Sequence, residues 1–352
     1  MPRAKRSTSQ DVAAMAGVSR TTVSFVLNEL EGVSISDRTR QRVFKAARKL
    51  DYHPNAAGRR LVRGKSDTLG LVLCQSPEQV FADAFLPRVV LGVEQAAMQQ
   101  RFHVLLKPVD PREPEGYTRL ITENHVDGII ISGPRQDDTD IRRLHEAGVP
   151  VMLLGQLPDS DVCFVDVDGE RGAEAAAAHL VGLGHTRIGM ITNAPLSYVS
   201  AKQRKAGYLR ALRSGHIEAD PALVKEGNYT PASGYDAMQA LLSEVLRPTA
   251  VFVSSDVVAM GAMLAAKRAG LTMPSDLAIV GFDDIPLAEF FDPPLTTVRL
   301  PAYGLGWSAG DRLIRLIRGE GLDQNGKLLD SELIVRQSTQ PDLPRLDTWL
   351  VR

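Results

Sequence analysis

The sequence has little cysteine and no long apolar segment. Cys74 and Cys163 are its only cysteines among 352 residues, and each lies inside an apolar run. We therefore expect two core thiols rather than a disulfide framework or a cysteine-based metal site. No run approaches the roughly 20 apolar residues of a membrane-spanning helix, and no apolar segment of a signal peptide follows the basic N-terminus. These absences predict a cytoplasmic protein.

The motifs of common α/β enzymes are also missing. No G-x-G-x-x-G follows the first apolar strand pattern, and no phosphate-binding P-loop is present. We expect no strand–turn–helix elbow that would carry a nucleophile. His103, His145, His179 and His216 are scattered without the spacing of a metal site or a catalytic triad. We therefore expect no catalytic residue, no metal and no cofactor.

Net charge is small, but its distribution is uneven. Residues 1–65 carry 14 Lys and Arg against 5 Asp and Glu, whereas the rest of the chain carries 27 against 37. The first part therefore has a net charge of +9 and the second of −10, which together give the −1 of the whole chain. A basic head on an acidic body is typical of a protein whose first domain binds nucleic acid.

Three helical patterns fill the basic head. Thr8 is a candidate N-cap with Asp11 three residues later, and Ser19 and Ser36 are candidate N-caps of the next two helices. Gly17 permits the turn between the first two helices. The apolar residues expected to face inward are Val12, Ala13, Ala16, Val23, Val26, Leu27, Val43, Ala47 and Leu50. The pattern predicts a helix-turn-helix, whose second helix enters the DNA major groove.

Seven short elements in this order resemble the DNA-binding headpiece and hinge of the LacI/GalR family of bacterial repressors. They are DVA at 11–13, AGVS at 16–19, TVS at 22–24, LN at 27–28, SDRTR at 36–40, YHPNA at 52–56 and Leu61. The resemblance continues to about Thr339. It implies an N-terminal all-α helix-turn-helix headpiece with a hinge helix, followed by an α/β two-lobed, periplasmic-binding-protein-like domain of type I with parallel sheets.

The second helix carries the residues expected to read DNA. Arg20 and Thr21 lie at its start, where arginine can bind guanine bidentately and threonine can contact a thymine methyl group. Phe25 stands where family members commonly carry a polar or basic residue, so it either touches DNA or makes a core or dimer contact. The predicted DNA-binding residues, some of which double as helix caps, are Thr8, Ser19, Arg20, Thr21, Thr22, Ser24, Phe25, Asn28, Asn55, Arg59 and Leu61.

Residues 55–66 form the predicted hinge and linker. Asn55 is a candidate cap of a short helix, and Arg59 adds positive charge beside it. The resemblance implies that two such helices of a dimer lie in the minor groove, where Leu61 from each would insert between base pairs and kink the duplex. Gly58 replaces the usual alanine and costs about 1 kcal/mol of helix propensity. We therefore expect the hinge helix to form only on the operator.

From Asp67 onward, short apolar runs alternate with amphipathic segments, as in parallel sheets with crossover helices. Among other elements, this alternation predicts a buried strand at residues 102–107 and a helix at residues 234–246. The resemblance implies two subdomains joined by three crossover strands, near Val165, Thr297 and Leu328. The predicted domains are headpiece 1–54, hinge 55–66, first subdomain 67–165 plus 298–328, second subdomain 166–297 plus 329–341, and tail 342–352.

Ligands of open α/β sheets bind beyond the carboxyl ends of the strands. The residues at those ends give the candidates Gln75, Ser132, Gly155, Asn193, Ser255, Asp283 and Asp284. Asp283 follows such a strand, and the resemblance puts the ligand-anchoring arginine of the family at Arg204. A planar guanidinium opposite a carboxylate suits a sugar ring, and also a nucleobase, so a purine-like corepressor is the alternative. The predicted effector-binding residues are Phe85, Asp168, Arg204, Tyr229, Ser255 and Asp283. For Phe85, Tyr229 and Asp168, core packing or helix capping is an equal alternative.

The expected function is that of a transcriptional regulator, acting as repressor of a carbohydrate-metabolism operon. Its partners would be a palindromic operator DNA, a sugar or sugar derivative as effector, and a second copy of the chain; no membrane partner is expected. The tail contains no heptads that could form a coiled-coil tetramer. We therefore expect a dimer, formed through residues 88–99 and 304–317. A solute-binding protein shares the two-lobed fold but would need a signal peptide and would lack residues 1–65.

The hinge generates the first testable prediction. Leu61→Ala should weaken specific operator binding while largely sparing nonspecific binding, because only the kinked operator complex uses the leucine wedge. Fluorescence anisotropy with operator and with scrambled duplex measures both affinities. An equal loss on the two duplexes would contradict the wedge role.

Overall fold

The computed structural model describes residues 7–28, 33–52, 65–110 and 116–340. Two compact units follow one another along the chain, Met1–Ser66 and Asp67–Arg352. The hinge predictions for Asn55, Arg59 and Leu61 lie outside the described residues. Within the described part of the chain, every helix is too short or too polar to cross a membrane.

The first unit contains three helices, α1 (Ser9–Ala16), α2 (Arg20–Leu27) and α3 (Asp37–Lys49). The predicted capping box is present: Thr8 Oγ1 accepts the N–H of Asp11, and an Asp11 carboxylate oxygen accepts the N–H of Thr8 at 2.8 Å. Gly17 adopts a left-handed conformation with φ of 62°, which turns the chain from α1 into α2. These local signals define where each helix begins and ends.

The three helices of the first unit pack around one small apolar core. Its buried residues are Val12, Ala13, Ala16, Val23, Val26, Val43, Ala46 and Ala47. Arg42 of α3 adds a polar tie, because its Nε and Nη2 donate to the carbonyls of Ala16 and Gly17 at 3.0 and 3.1 Å. Those carbonyls lie at the end of α1 and have no partner within that helix. The core and this tie fix α1 against α3.

The second unit contains two six-stranded sheets. The strands in chain order are β1 (Thr68–Leu73), β2 (His103–Pro108), β3 (Gly128–Ser132), β4 (Val151–Leu154), β5 (Phe164–Val167), β6 (Ile188–Ile191), β7 (Val224–Lys225), β8 (Ala250–Val253), β9 (Ala278–Asp283), β10 (Thr296–Arg299), β11 (Gly326–Leu329) and β12 (Glu332–Ile334). The first sheet has the order β11-β5-β4-β3-β1-β2, and the second has the order β12-β10-β9-β8-β6-β7. All pairs are parallel except β10 with β12.

Helices cover both sheets, and each sheet with its helices forms a lobe. Lobe 1 contains α4 (Pro77–Ala82), α5 (Leu86–Gln99), α6 (Thr118–Thr122), α7 (Thr139–Glu146) and α12 (Ala302–Ile317). Lobe 2 contains α8 (Gly169–Gly182), α9 (Val199–Ser214), α10 (Pro231–Leu242) and α11 (Asp256–Arg268). The central strands β1, β4, β6, β8 and β9 are buried along their whole length, as the apolar runs of the sequence indicate.

The chain passes between the lobes three times. It leaves lobe 1 after β5, returns after β10, and leaves again between β11 and β12. Val165, Thr297 and Leu328, the residues named as crossing points, lie in β5, β10 and β11. The domain boundaries drawn at these residues stay a proposal.

Two predictions from the apolar pattern were wrong. The strand read at residues 102–107 as buried is the edge strand β2, whose residues alternate between exposed and half-buried. The helix read to residue 246 ends at Leu242, and Val245 and Leu246 are 100% and 67% exposed. The Ser243 hydroxyl donates to the carbonyl of Gln239 at 2.8 Å as the helix ends. Apolar letters beyond a helix end do not imply burial.

One enzyme-like pattern escaped the reading of the sequence. Residues 306–310 read G-W-S-A-G and so match the letters of a nucleophile elbow. The structure places them in the middle of α12, with Ser308 only 5% exposed. An elbow requires a sharp turn between a strand and a helix, so this pattern belongs to helix packing.

Three helix pairs cross at glycines. A Cβ at Gly306 of α12 would overlap the backbone carbonyl of Val89 in α5, and a Cβ at Gly207 of α9 would overlap that of Glu170 in α8. The same relation holds where Gly261 of α11 meets Pro231 of α10. Backbones this close tolerate no side chain at the crossing point, so the glycines determine how near the paired helices lie.

The crossing in lobe 1 generates a prediction. Gly306→Ala should lower the free energy of unfolding by about 1–3 kcal/mol, because the methyl group forces α5 and α12 apart. Urea denaturation measures the change. Gly182→Ala is the matched control, since a Cβ there meets nothing within 4 Å, and it should change stability by less than about 1 kcal/mol. Equal effects of the two substitutions would show that the close approach is unimportant.

Candidate functional site

The exposed face of α2 presents the first group of predicted site residues. Arg20 and Thr21 are exposed in the first turn of this helix. Ser19 and Thr22 are engaged with each other: their hydroxyls lie 2.9 Å apart, and Ser19 Oγ accepts the N–H of Thr22 at 3.0 Å. Ser19 and Thr22 therefore cap the start of the helix, whereas the side chains of Arg20 and Thr21 take no part in the cap.

The remaining described residues of the predicted DNA-binding set make contacts within the headpiece. Asn28 is only 5% exposed, and its amide donates to Ser24 Oγ at 3.1 Å. Phe25 is half-buried, and the hydroxyl of Thr8 donates to the Asp11 carboxylate at 2.7 Å. In the free protein these polar groups stabilise helix ends. Their proposed phosphate contacts would have to be made in addition.

In the second unit, Arg204 and Asp283 meet at the carboxyl end of β9. Arg204 Nη1 lies 3.6 Å from Asp283 Oδ1, and the two side chains are 11% and 9% exposed. The guanidinium also donates to the carbonyl of Ser254 at 2.5 Å and lies 4.0 Å above the ring of Phe282. A cation held over an aromatic face and beside a carboxylate is fixed in orientation.

The backbone at this site is strained. Asp283 and Asp284 have φ angles of 120° and 53°, and Tyr229 has φ of 57°. Such values disfavour side chains and persist only where surrounding contacts impose them. Asp256 is one source of that constraint, since its buried carboxylate accepts the Thr297 hydroxyl at 2.6 Å and the N–H of Ile285 at 3.0 Å. Strain concentrated on Asp283 is consistent with a functional position.

Burial sets the ionisation of the acids at this site. Desolvation raises the pKa of Asp283 to about 7, against a lowering by Arg204 and a further rise caused by Asp83. Desolvation and the neighbouring Asp283 also raise the pKa of Asp256 well above its usual range. Near neutral pH this pair therefore holds at least part of a proton.

Reading the sequence missed two acids of this site. Asp83 follows α4, and its Oδ1 accepts the N–H of Phe85 at 2.7 Å. Asp166 lies in β5, and its Oδ2 accepts Gln156 Nε2 at 3.0 Å. Burial raises the pKa of both acids, and the positive charge of Arg204 opposes that rise in each case. Neither residue lies in a recognisable motif, so only the fold reveals that they lie near Arg204.

Aromatic and amide side chains complete the site in lobe 2. The rings of Tyr198 and Tyr229 pack edge to face with centroids 5.5 Å apart. Asn193 is 2% exposed, and its amide lies 3.2 Å from Ser200 Oγ and 3.5 Å from the Tyr229 hydroxyl. Tyr229 was predicted as an effector contact, and Asn193 was a candidate because it follows the end of a strand pattern. Tyr198 and Ser200 were not predicted.

The other three predicted effector residues differ in how close they come to Arg204. The Ser255 hydroxyl donates to Asp283 and lowers its pKa, so this serine belongs to the group. Phe85 is half-buried and packs against the core of lobe 2 from lobe 1. Asp168 is exposed and accepts the N–H of Arg171 at 2.9 Å, which makes it the N-cap of α8.

Several contacts join the two lobes beside these residues. The Tyr198 hydroxyl donates to the carbonyl of Cys74 at 2.8 Å, and Arg135 forms an antiparallel bridge with Tyr198. Gln79 of α4 donates to the side chain of Asn228 at 3.0 Å. The carboxyl ends of both sheets therefore face a cleft that these contacts close at its edges. We call this region the interlobe cleft.

Comparison with known proteins adds the family context. Residues 8–55 match the bacterial regulatory proteins of the lacI family, and residues 177–339 match the periplasmic binding protein-like domain. The HTH-type transcriptional regulator CelR of Thermobifida fusca is 36% identical over 342 residues, which cover 96% of this chain and 100% of CelR.

Solved structures agree with this relationship. The chain resembles a transcriptional regulator CelR–cellobiose complex with a TM-score of 0.73 and 34% identity, covering 95% of this chain and 100% of that one. It also resembles the lac repressor dimer bound to operator and the anti-inducer ONPF, with a TM-score of 0.82, 31% identity, and coverage of 95% and 99%.

The buried acid pair generates a prediction about pH. Because the pKa of Asp283 rises from 3.8 to about 7 on folding, the folded protein holds this proton more tightly, and stability falls as pH rises through that window. Asp283→Asn removes the titration. Between pH 5 and pH 7, the stability of the variant should therefore gain at least about 1 kcal/mol relative to wild type. Parallel pH profiles in urea denaturation would contradict this.

Proposed function

The chain belongs to the lacI family of bacterial regulatory proteins, and we propose that its interlobe cleft binds a sugar that controls how the headpiece binds operator DNA. It is a DNA-binding transcriptional regulator with a small-molecule effector, and not an enzyme. The observation that carries the effector proposal is the buried pair of Arg204 and Asp283, oriented by Phe282 at the ends of parallel strands.

The proposed effector contacts follow from the chemistry of the cleft. Arg204 donates hydrogen bonds to ligand oxygens, whereas Asp283 accepts them from ligand hydroxyls. Tyr229 offers a ring face or edge for an apolar sugar face, with Ser255 and Phe85 beside it. Asp168 stays a proposed contact, although it already caps α8. The CelR complex with cellobiose supports a sugar; a purine-like corepressor is the second candidate, because arginine and aspartate also suit a nucleobase.

The proposed DNA contacts divide by position. Arg20 and Thr21 reach base edges from the exposed start of α2, and Phe25 touches the groove nearby. The phosphates are contacted by Thr8, Ser19, Thr22, Ser24, Asn28, Asn55 and Arg59. Leu61 inserts in the minor groove. The exposure of Arg20 and Thr21 supports this division.

The assembly is proposed to be a homodimer, as the lac repressor is in its operator complex. Two copies present two α2 helices to the halves of a palindromic operator. Lobe 1 is the proposed contact, through α5 and α12, and Leu91 and Met98 of α5 are 50% and 57% exposed. The regulator is proposed to act in the bacterial cytoplasm at the nucleoid, as repressor of a carbohydrate-metabolism operon.

Control of DNA binding is proposed to pass through the contacts that close the cleft. A ligand held by both lobes favours one lobe arrangement over another, and that preference is the source of its effect on the operator. A coupling of about 1–3 kcal/mol between ligand and DNA is typical. The bonds of Tyr198 and Gln79 across the lobes are the contacts that such a ligand would strengthen or break.

The test removes the guanidinium. Arg204→Ala should abolish the response to effector but leave operator affinity within about threefold of wild type, since the headpiece is untouched. Operator binding by anisotropy, with and without cellobiose or another stabilising sugar, measures both. Arg213→Ala is the control on the exposed side of α9 and should respond like wild type. A full response from Arg204→Ala would overturn the assignment of the cleft.

A further inference from the structure

The interlobe cleft contains more carboxylates than one arginine can neutralise. We call three of them, Asp83, Asp166 and Asp283, the acid shell. The positive charge of Arg204 lowers the pKa of each of the three, so all of them lie close enough to interact with it. Asp283 alone makes an ion pair with it, at 3.6 Å. Near pH 7, where Asp283 is partly protonated, the group with Asp83 and Asp166 ionised carries a net charge between −1 and −2.

The position of Asp83 is fixed by the chain on both sides. The next two residues, Ala84 and Phe85, pack against the apolar core of lobe 2, although they belong to lobe 1. The N–H groups of Phe85 and Leu86 both donate to Oδ1 of Asp83, at 2.7 and 3.3 Å. These bonds hold the carboxylate at the boundary between the lobes.

Asp166 reaches the same place from the crossover strand β5. Three residues further along the chain, Gly169 lies close to the side chain of Gln203, which directly precedes Arg204 in α9. Gln156, which follows β4, donates its amide to Oδ2 of Asp166 at 3.0 Å. One amide donor neutralises no charge, so the carboxylate keeps acceptor capacity for a ligand.

Nearby arginines are already neutralised by other acids. Arg135 makes two hydrogen bonds to the Asp137 carboxylate, at 2.9 and 2.7 Å. Arg299 and Arg336 both bind Asp284, at 2.7 and 2.8 Å, and Arg299 also lies 3.8 Å from Glu332, so these two arginines face two acids. Among the described residues that the cleft brings together, these pairs leave the acid shell with Arg204 as its main counter-charge. The negative balance is therefore a property of the site and not of one side chain.

A buried amide adds an independent sign of what the cleft lacks. Gln75 follows β1, is 8% exposed, and its Oε1 accepts no hydrogen bond from any described residue. Cys74, its neighbour, receives the interlobe bond from Tyr198. A buried acceptor without a donor is destabilising, and a bound molecule can supply the missing donor. Ligand hydroxyls supply such donors, whereas phosphate oxygens at neutral pH are mostly acceptors.

We propose that Asp83 and Asp166 are specificity residues that restrict the cleft to uncharged, hydroxyl-rich ligands and exclude their phosphorylated forms. This inference rests on the proposed function, a sugar effector in the same cleft. Each sugar hydroxyl can donate to a carboxylate of the acid shell or to Gln75, whereas a phosphate dianion would lie beside uncompensated negative charge.

An uncharged effector has to arise without phosphorylation. It either enters the cell unphosphorylated or is released from a larger saccharide by a reaction that leaves it unphosphorylated. A sugar phosphorylated during uptake would become a signal only after a phosphatase or phosphorylated-glycoside hydrolase had freed a neutral product. The regulator would thus respond to sugars that transport or hydrolysis delivers without phosphoryl transfer.

The experiment compares matched ligand pairs on the full-length protein. Cellobiose and cellobiose 6′-phosphate form the first pair, followed by other neutral disaccharides with their 6-phosphates. Thermal unfolding screens the pairs, and isothermal titration calorimetry measures the dissociation constants. We expect a neutral member to raise the unfolding temperature and its phosphorylated form to bind at least about tenfold more weakly. Added KCl should narrow the gap, because salt screens charge repulsion.

Two isosteric variants test the residues themselves. Asp83→Asn and Asp166→Asn each remove one negative charge and retain shape, so each should reduce the gap between neutral and phosphorylated ligand at least about threefold. Asp161→Asn is the matched control, since that acid precedes β5 at the end remote from Asp166 and is 81% exposed. Circular dichroism confirms that each variant is folded. An unchanged gap in both folded variants would overturn their role.

The outcomes separate the two levels of inference. If a phosphorylated sugar binds as tightly as its neutral partner, the charge proposal fails and the sugar-responsive function stands. If no sugar of either kind binds while operator binding is intact, the sugar effector fails and the charge proposal fails with it. The sugar effector and the charge proposal are both supported if the neutral sugar binds more tightly than its phosphorylated form and this preference is reduced by Asp83→Asn or Asp166→Asn but not by Asp161→Asn.

Discussion

A guanidinium held in a nearly dry site is the constraint on which the cleft depends. Arg204 lies over the ring of Phe282 and beside Asp283, and both residues come from the end of the same strand, β9. Removing a charge from water is costly unless partners replace the lost hydration. The acids around Arg204 provide that replacement, but they exceed it in number. Burial, with a smaller rise caused by Asp83, raises the pKa of Asp283 to about 7. The excess acids leave acceptors in place for a ligand that brings donors.

Rigid lobes are what make such a site useful for regulation. Glycines bring helix backbones into contact in both lobes, so each lobe is expected to move as a body rather than to deform. The contacts between the lobes include polar bonds, such as that of Tyr198 to Cys74, and the packing of Ala84 and Phe85 of lobe 1 against the core of lobe 2. Rigid bodies joined by contacts that can break and re-form permit discrete arrangements that a ligand can select. The proposed effector response requires such arrangements.

The sequence was informative where local chemistry decides and less so where the fold decides. Caps at Thr8, Ser19 and Ser36 and the buried strands follow from side-chain type and period, and the structure confirms them. Edge position cannot be read from an apolar run, which is why β2 was taken as buried. The sequence gives no sign that Asp83 and Asp166 lie near Arg204, because Asp83 follows a helix and Asp166 lies inside a strand, so neither occupies the kind of strand end that pointed to Asp283.

The most direct test of the account is the thermodynamic coupling between cleft and headpiece. A palindromic duplex is first selected from random DNA by the full-length protein. The affinity for this duplex is then measured with and without cellobiose or another stabilising neutral sugar, and the affinity for the sugar is measured with and without the duplex. The account predicts one and the same factor in both directions, about 5- to 150-fold. A sugar that binds in the cleft but leaves operator affinity unchanged would contradict it.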